Sequence, residues 1–166
     1  MKDEIQAVLA DLVGMALIDT HRAADMQMFT FGRDRDGQID LHVQCPWRVE
    51  SSAGLVVGYR DMRDPPTGAP LDGFDPNVAP LTRRDELLGD LISSTRERPR
   101  RVVGTVATES ADVRLEFDDG FTLSIFPDSV AVDDEYWRLI RLTPGGDHYV
   151  VGGDGFVHMP AKPPAT

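Results

Sequence analysis

The 166-residue sequence predicts an α+β fold with a curved, largely antiparallel sheet of about eight strands and two helices packed on one face. Three features of the sequence support this prediction. Two segments carry apolar residues at helical spacing. Several short segments are rich in apolar residues or alternate apolar with polar residues, and turn signals such as Asp119-Gly120 join them as hairpins. Strands and helices do not alternate regularly, which argues against a doubly wound fold. We therefore expect a single globular domain over residues 1–158, followed by a flexible tail at 159–166.

The two helices are predicted from apolar stripes and end signals. Gly14 is placed to end the first helix, and Asp3 and Glu4 suit its first turn. Thr82 and Asp85 resemble a capping box for the second helix, which Pro99 must end. The stripes are formed by Ile5, Val8, Leu9, Leu12 and Val13 in the first helix and by Leu87, Leu88, Leu91 and Ile92 in the second.

The strands before the second helix are predicted at 25–32, 39–50 and 55–61, with a polar turn at 33–38. The middle segment alternates cleanly, so its side chains separate onto two faces of a sheet. We expect this segment to be a central strand whose rare residues pack in the core. One face carries Leu41, Val43, Cys45, Trp47 and Val49, and the other carries His42, Gln44, Arg48 and Glu50.

Residues 62–81 contain five prolines and two glycines, which predicts a long surface excursion without regular structure. Leu71, Phe74 and Val78 are its candidates for anchors to the domain. After the second helix, strands are predicted over 101–108, 112–127 and 135–153, with Pro144-Gly145-Gly146-Asp147 forming one of the turns.

Charge and cysteine content restrict the class of protein. Asp and Glu number 28 against 17 Lys and Arg, a formal net charge of −11. Such a surface repels phosphate backbones and anionic lipids, so neither nucleic acid nor membrane is an expected partner. One cysteine allows no internal disulfide, and the first residues lack the pattern of a signal peptide. A cytoplasmic location is expected.

Known catalytic and metal motifs are not supported by the sequence, so no cofactor or metal is expected. Segment 32–43 resembles a calcium loop, but Gly32 and Val43 occupy the positions that require Asp and Glu. His42 and Cys45 form H-x-x-C, yet residues three apart on a strand point to opposite faces. The chain contains no G-x-S-x-G elbow and no phosphate-binding glycine loop with its lysine.

Two Trp-Arg pairs point to candidate ligand-binding residues. The segments "CPWRV" at 45–49 and "EYWRLI" at 135–140 each place a tryptophan directly before an arginine within a predicted strand. A shared sheet face would combine the arginines, as anion clamps, with nearby histidines as acid/base groups. A buried indole beside a surface guanidinium is the structural alternative. The candidates are His42, Arg48, Arg138 and His148.

The segments "HRAADMQMFTFG", "LHVQCPWRV", "EYWRLI" and "HYVVGG", in this order, resemble a group of small uncharacterised bacterial proteins, mainly actinobacterial. The resemblance covers most of the chain except the excursion and the tail, and the CPWR segment is its most specific part. It implies a soluble, stand-alone bacterial domain. No activity, cofactor or catalytic residue is established for that group, so it implies no role for any residue here.

The sequence favours a non-catalytic acidic domain that binds a basic protein, in the manner of an immunity or adaptor protein. Its candidate partner-binding residues are Asp61, Asp64, Asp72 and Asp75, in and beside the excursion. The alternative is a small-molecule or anion-binding domain, or an enzyme, with a pocket on the sheet face. A third alternative is a homo-oligomer in which an exposed strand edge pairs with its copy.

Overall fold

Residues 1–32, 37–95, 98–142 and 146–160 are described by a computed structural model. Over these ranges the chain is an α+β protein with two α-helices and an antiparallel sheet of eleven strands, which is not closed. The α-helices are α1 (Lys2–Leu9) and α2 (Arg83–Thr95), and 3-10 helices span Ala10–Leu12 and Tyr59–Arg63. The strands are β1 (Ala16–Ala23), β2 (Met26–Gly32), β3 (Ile39–Val43), β4 (Trp47–Ser51), β5 (Gly54–Gly58), β6 (Arg100–Ala107), β7 (Val113–Phe117), β8 (Thr122–Ile125), β9 (Glu135–Arg141), β10 (His148–Gly152) and β11 (Gly155–Met159).

The predicted fold class is confirmed, but the expected number of about eight strands is wrong. Three additional strands account for the difference. The polar strand β1 pairs with β2, β11 forms a hairpin with β10, and the segment predicted as one strand at 39–50 is divided into β3 and β4. β1 was not expected because exposed and half-buried polar residues occupy most of it, which conceals its period.

The sheet order is β11-β10-β9-β3-β2-β1-β6-β7-β8-β4-β5. β3 and β4 are consecutive in the chain, yet five strands lie between them in this order. β3 pairs with β2 and β9, whereas β4 pairs with β8 and β5. The chain passes from one half of the sheet to the other at Gln44, Cys45 and Pro46, the 44–46 bend.

Backbone hydrogen bonds hold the 44–46 bend. The N–H groups of Gln44 and Cys45 both donate to the carbonyl oxygen of Tyr136, at 2.8 and 3.2 Å. The carbonyl oxygen of Pro46 accepts the N–H of Phe126 at 2.9 Å. Proline has no N–H to donate, which suits a point where the chain leaves one set of strand pairs and joins another.

The predicted alternation of segment 39–50 is confirmed and continues through the bend. Gln44 and Arg48 are exposed, while His42 and Glu50 are half-buried. The indole of Trp47 packs edge-on against the ring of Phe29, with 5.2 Å between ring centroids. Because Phe29 lies on β2 and Trp47 on β4, this contact joins the two halves of the sheet. The buried face consists of Leu41, Val43, Cys45, Trp47 and Val49.

Both predicted helices are present and contribute to the same core. Gly14 follows the first helical segment with a φ of +84°, and its N–H donates to the carbonyl of Val102 at 2.8 Å. α1 packs against β6, where Gln6 binds the backbone of Thr105 and Ala107. α2 packs against β1, β5 and the second 3-10 helix, and it ends before Pro99, as predicted. Their core residues include Ile5, Val8, Leu9, Leu88 and Leu91.

Residues 62 and 63 of the excursion complete the second 3-10 helix, which was not expected, and residues 64–81 form turns and bends without a strand or helix. Two of its predicted anchors are wrong, because Leu71 and Val78 are 68% and 79% exposed. Polar contacts with other elements hold the excursion instead. The Arg22 guanidinium donates to the carbonyl of Ala79 at 3.1 Å. The backbone of Thr67 donates to Glu86 on α2 at 2.8 Å.

Some predicted features lie wholly or partly outside the described ranges. They are residues 33–36 of the first turn, residues 143–145 of the last turn, and residues 161–166 of the tail. Met159 belongs to β11, where it pairs with His148. Within the part of the chain that the structure describes, no helix has the length and apolar content needed to cross a membrane.

Candidate functional site at the bend between β3 and β4

The structure brings two of the four candidate ligand-binding residues together. His42 on β3 pairs directly with Arg138 on β9, so their side chains share one face of the sheet. Arg138 forms a two-pronged ion pair with Glu135, in which its Nε donates to Oε1 at 2.6 Å. Burial lowers the pKa of His42, while Asp40, with an oxygen 3.8 Å from Nε2, opposes this shift.

The other two candidates are not paired with His42 or Arg138. His148 on β10 is paired with Ile140, which lies two residues from Arg138 along β9 and therefore on the same face. Arg48 lies on β4 in the other half of the sheet, where it is paired with Ser124 and Gly58. None of the depressions described below contains three of the four candidates.

An acidic depression of about 560 Å³ opens at the 44–46 bend. Carboxylates dominate its polar lining, since four of them face the single guanidinium of Arg138. Glu135 already neutralises that guanidinium. Asp128 and Asp133 are exposed, so the depression keeps an excess of negative charge. Its lining consists of Gln44, Cys45, Asp128, Ser129, Asp133, Asp134, Glu135, Tyr136 and Arg138.

The loop at 126–134 supplies one wall of the acidic depression and is held by side-chain hydrogen bonds within the loop and from β9. The Ser129 hydroxyl donates to Asp134 at 2.7 Å, and the Tyr136 hydroxyl donates to the carbonyl of Ser129 at 2.8 Å. These bonds leave Val130 pointing into solvent, where it is 96% exposed. Val132 is exposed as well. The loop thus presents apolar side chains among carboxylates.

The glycines of the "VVGGDGF" segment allow the β10–β11 hairpin to approach this loop closely. A Cβ atom on Gly153 would lie 2.0 Å from the carbonyl oxygen of Ala131. A Cβ atom on Gly152 would lie 2.5 Å from that of Asp134. The N–H of Gly153 donates to the Asp134 carbonyl at 3.0 Å. The role of these glycines is therefore close backbone approach.

Cys45 lies at the base of the acidic depression but belongs to the core, as the alternation predicts. Its side chain is buried, and burial raises the pKa of the thiol to about 12. A thiol with so high a pKa carries almost no thiolate at neutral pH. Cys45 is therefore unsuited to act as a nucleophile.

A second, basic depression of about 450 Å³ adjoins the same segment. Three guanidinium groups line it, those of Arg48, Arg60 and Arg63, and one carboxylate, Asp128. Asp128 also lines the acidic depression, so the two depressions meet there. The remaining lining is mostly apolar or aromatic, and it consists of Pro46, Trp47, Leu55, Gly58, Tyr59 and Phe126.

The predicted partner-binding aspartates have different local roles. Asp61, in the second 3-10 helix, accepts the N–H of Gly58 at 2.7 Å and so stabilises the start of that helix. The backbone carbonyl of Asp64 accepts the N–H of Arg83 at 2.9 Å. Asp72 is exposed, and Asp75 caps a turn by accepting the N–H of Asn77 at 2.9 Å.

Sequence reasoning did not select Arg60, Arg63, Asp128 or Asp133 as site residues. The acidic segment "AVDDEY" at 131–136 is recognisable in the sequence, but no sequence pattern predicts that it lies beside residues 44–48. Among the described residues, no group of three or more His, Cys, Asp and Glu side chains is arranged to hold a metal ion. Comparison with protein-family models, curated proteins and solved structures finds no match for the chain.

Proposed function

We propose that this protein is a non-catalytic interaction domain of the bacterial cytoplasm that binds a basic protein partner, as an immunity or adaptor protein does. The observation that carries the proposal is the 126–134 loop, where Val130 is almost fully exposed between the exposed carboxylates of Asp128 and Asp133. An exposed apolar patch rimmed by polar residues marks many protein-binding surfaces, and Val130 and Val132 are the exposed apolar side chains of this loop.

Electrostatics support a basic partner. The net charge of −11 attracts cationic surfaces and speeds their encounter. Asp128 and Asp133 form no ion pair among the described residues, although Asp128 also lines the basic depression. A lysine or arginine of a partner would therefore gain a local attraction as well. The same charge disfavours nucleic acid.

The excursion offers a second surface of the same kind. Leu71 and Val78 are exposed beside Asp72 and Asp75. An apolar side chain already in water loses no packing when it binds a partner and gains burial. Asp72 and Asp75 therefore remain candidate contacts, whereas Asp61 supports the local backbone.

The alternative, a small-molecule site or enzyme built on His42, Arg48, Arg138 and His148, is less well supported. Arg138 is occupied by Glu135, and Arg48 lies in the other half of the sheet. A homo-oligomer would pair β5 or β11, the strands that end the sheet order, with the same strand of a second copy.

The proposal is tested by affinity capture from an actinobacterial lysate at low and at moderate salt, with charge-matched variants. Asp128→Asn with Asp133→Asn is expected to reduce capture of a basic protein by about tenfold, because two unpaired carboxylates are lost. The control is Asp90→Asn with Glu109→Gln, which removes the same charge from exposed sites elsewhere. Asp72→Asn with Asp75→Asn measures how much the excursion contributes to capture of the basic protein.

Val130→Ser separates the apolar contribution from charge. The side chain is already solvated, so folding is expected to be unchanged while capture weakens severalfold. Equal capture by the loop variants, the excursion variant and the control would contradict the proposal. A captured protein that is not basic, or that binds independently of salt, would contradict the electrostatic part.

A further inference from the structure

We propose that the basic depression is a binding site for a small organic anion, one that carries an oxyanion group such as a carboxylate on a planar apolar body. This site adjoins the surface proposed for a protein partner, since Phe126 and Asp128 of the 126–134 loop line the basic depression. Asp128 is the residue that the two depressions share.

The local charge of the basic depression favours an anionic ligand. Three guanidinium groups face one carboxylate, in a chain whose acidic residues outnumber its basic residues by 28 to 17. At physiological ionic strength, charges farther away than about 8 Å are largely screened. An anion inside the depression therefore senses the arginines more strongly than the net charge of the chain.

The arrangement of the arginines suits an anionic ligand. Arg60 and Arg63 are three residues apart in a 3-10 helix, where this spacing places side chains on the same side. Neither of them forms an ion pair with a carboxylate of the described residues. Arg48 is held in place by Glu50 at 2.9 Å and by stacking over Phe126 at 5.4 Å. Two guanidinium groups are thus available to a ligand, beside a third that is fixed.

The basic depression also has an apolar wall. Leu55 on the edge strand β5 lines the depression and is 66% exposed. Tyr59 and Phe126 add half-buried rings. A volume of about 450 Å³ is within the range of small-molecule sites. Inorganic phosphate alone would leave this wall in water.

The test uses three probes on the full chain: 1-naphthoate, its neutral analogue 1-naphthylmethanol, and inorganic phosphate. Titrations are followed by the arginine Nε–H signals and the leucine methyl signals in NMR spectra. We expect saturable binding of 1-naphthoate in the millimolar range or tighter, with shifts at Arg48, Arg60, Arg63 and Leu55. The neutral analogue and phosphate are each expected to bind at least about tenfold more weakly.

Charge-matched variants locate the site. Arg60→Gln with Arg63→Gln is expected to weaken 1-naphthoate binding by about tenfold or more. Arg98→Gln with Arg114→Gln lowers the charge equally at exposed positions outside the depression and is expected to change binding by less than about twofold. Leu55→Ser is expected to weaken 1-naphthoate while leaving phosphate unchanged.

Absence of saturable 1-naphthoate binding would overturn the proposal, as would equal losses in the two arginine pairs. Shifts confined to other residues of the wild-type protein would also overturn it, and this result does not depend on how any variant folds. Phosphate binding as tight as that of 1-naphthoate would overturn the assignment of an apolar body. None of these results bears on capture of a protein partner, which is measured separately.

Discussion

His42 shows how strongly position determines the behaviour of a single side chain. It lies half-buried on β3, opposite Arg138 and near Asp40 and Glu135. Burial is the largest influence and lowers its pKa, and the positive charge of Arg138 acts in the same direction. The two carboxylates oppose this shift without reversing it. The folded protein therefore favours the neutral imidazole.

This environment predicts a pH dependence of stability. Because the pKa of His42 is lower in the folded protein than the usual value of about 6.5, the unfolded chain takes up a proton first as the pH falls. The stability associated with neutral His42 is present above about pH 6.5 and is lost below it. His42→Gln should therefore lose less free energy of unfolding than the wild type between about pH 7.5 and about pH 5.5.

Urea unfolding at the two pH values measures this difference. His148→Gln serves as the control for removing a histidine, since His148 on β10 forms no ion pair with a carboxylate among the described residues. An equal or steeper pH dependence in His42→Gln would show that burial does not lower the pKa of His42 in the folded protein.

At the scale of an element, the start of α2 combines local and long-range contacts. The Thr82 N–H donates to the Asp85 carboxylate at 2.8 Å, and the Asp85 N–H donates to the Thr82 hydroxyl at 3.4 Å, which is the reciprocal pattern of a capping box. Asp85 also accepts the Nε of Arg22 on β1 at 2.9 Å. The cap was recognisable from the spacing of Thr82 and Asp85, but the ion pair with Arg22 was not.

This difference predicts an order of stability losses. Thr82→Ala removes the cap and is expected to lower the free energy of unfolding by about 1 kcal/mol. Asp85→Ala removes the cap and the partner of Arg22, and is expected to cost about 2 kcal/mol. Asp90→Ala, on the exposed side of α2, should change it by less than about 0.5 kcal/mol. Urea titration gives all three values, and a larger loss for Thr82→Ala than for Asp85→Ala would contradict this account.

At the scale of the whole molecule, a buried arginine connects three parts of the chain. Arg84 on α2 is fully buried. Its guanidinium donates to the carbonyls of Asp25 and Ala24 in the β1–β2 turn, at 3.1 and 3.4 Å. It also contacts the sulfur of Met62 at the start of the excursion, at 3.6 Å. One side chain thus joins the helix, the hairpin and the excursion.

Removing this side chain is expected to be costly. Arg84→Ala leaves a cavity and two carbonyls without this donor, and should lower the free energy of unfolding by about 3 kcal/mol. Arg84→Met fills most of the space and should cost about half as much. Urea unfolding of both variants checks the prediction. Equal losses in the two variants would show that the hydrogen bonds matter more than the packing.

Local patterns determined those features that depend on a residue and its near neighbours. The alternation at 41–49 identified the buried face, Thr82 and Asp85 marked the start of α2, and Gly14 marked the end of the first helical segment. These signals are reliable because face and cap are set within one or two turns of chain. The net charge likewise follows from composition alone.

Only the tertiary structure decided where these elements meet. Strand partners are joined by backbone hydrogen bonds, which every residue type can form apart from the N–H that proline lacks, so nothing in segment 39–50 shows that β3 and β4 pair with different strands. For the same reason the two depressions could not be predicted, since strand order brings Arg60 to Asp128 in the basic depression and Gln44 to Glu135 in the acidic one. The burial of Arg84 was equally hidden, because its acceptors are carbonyls about sixty residues away in the chain.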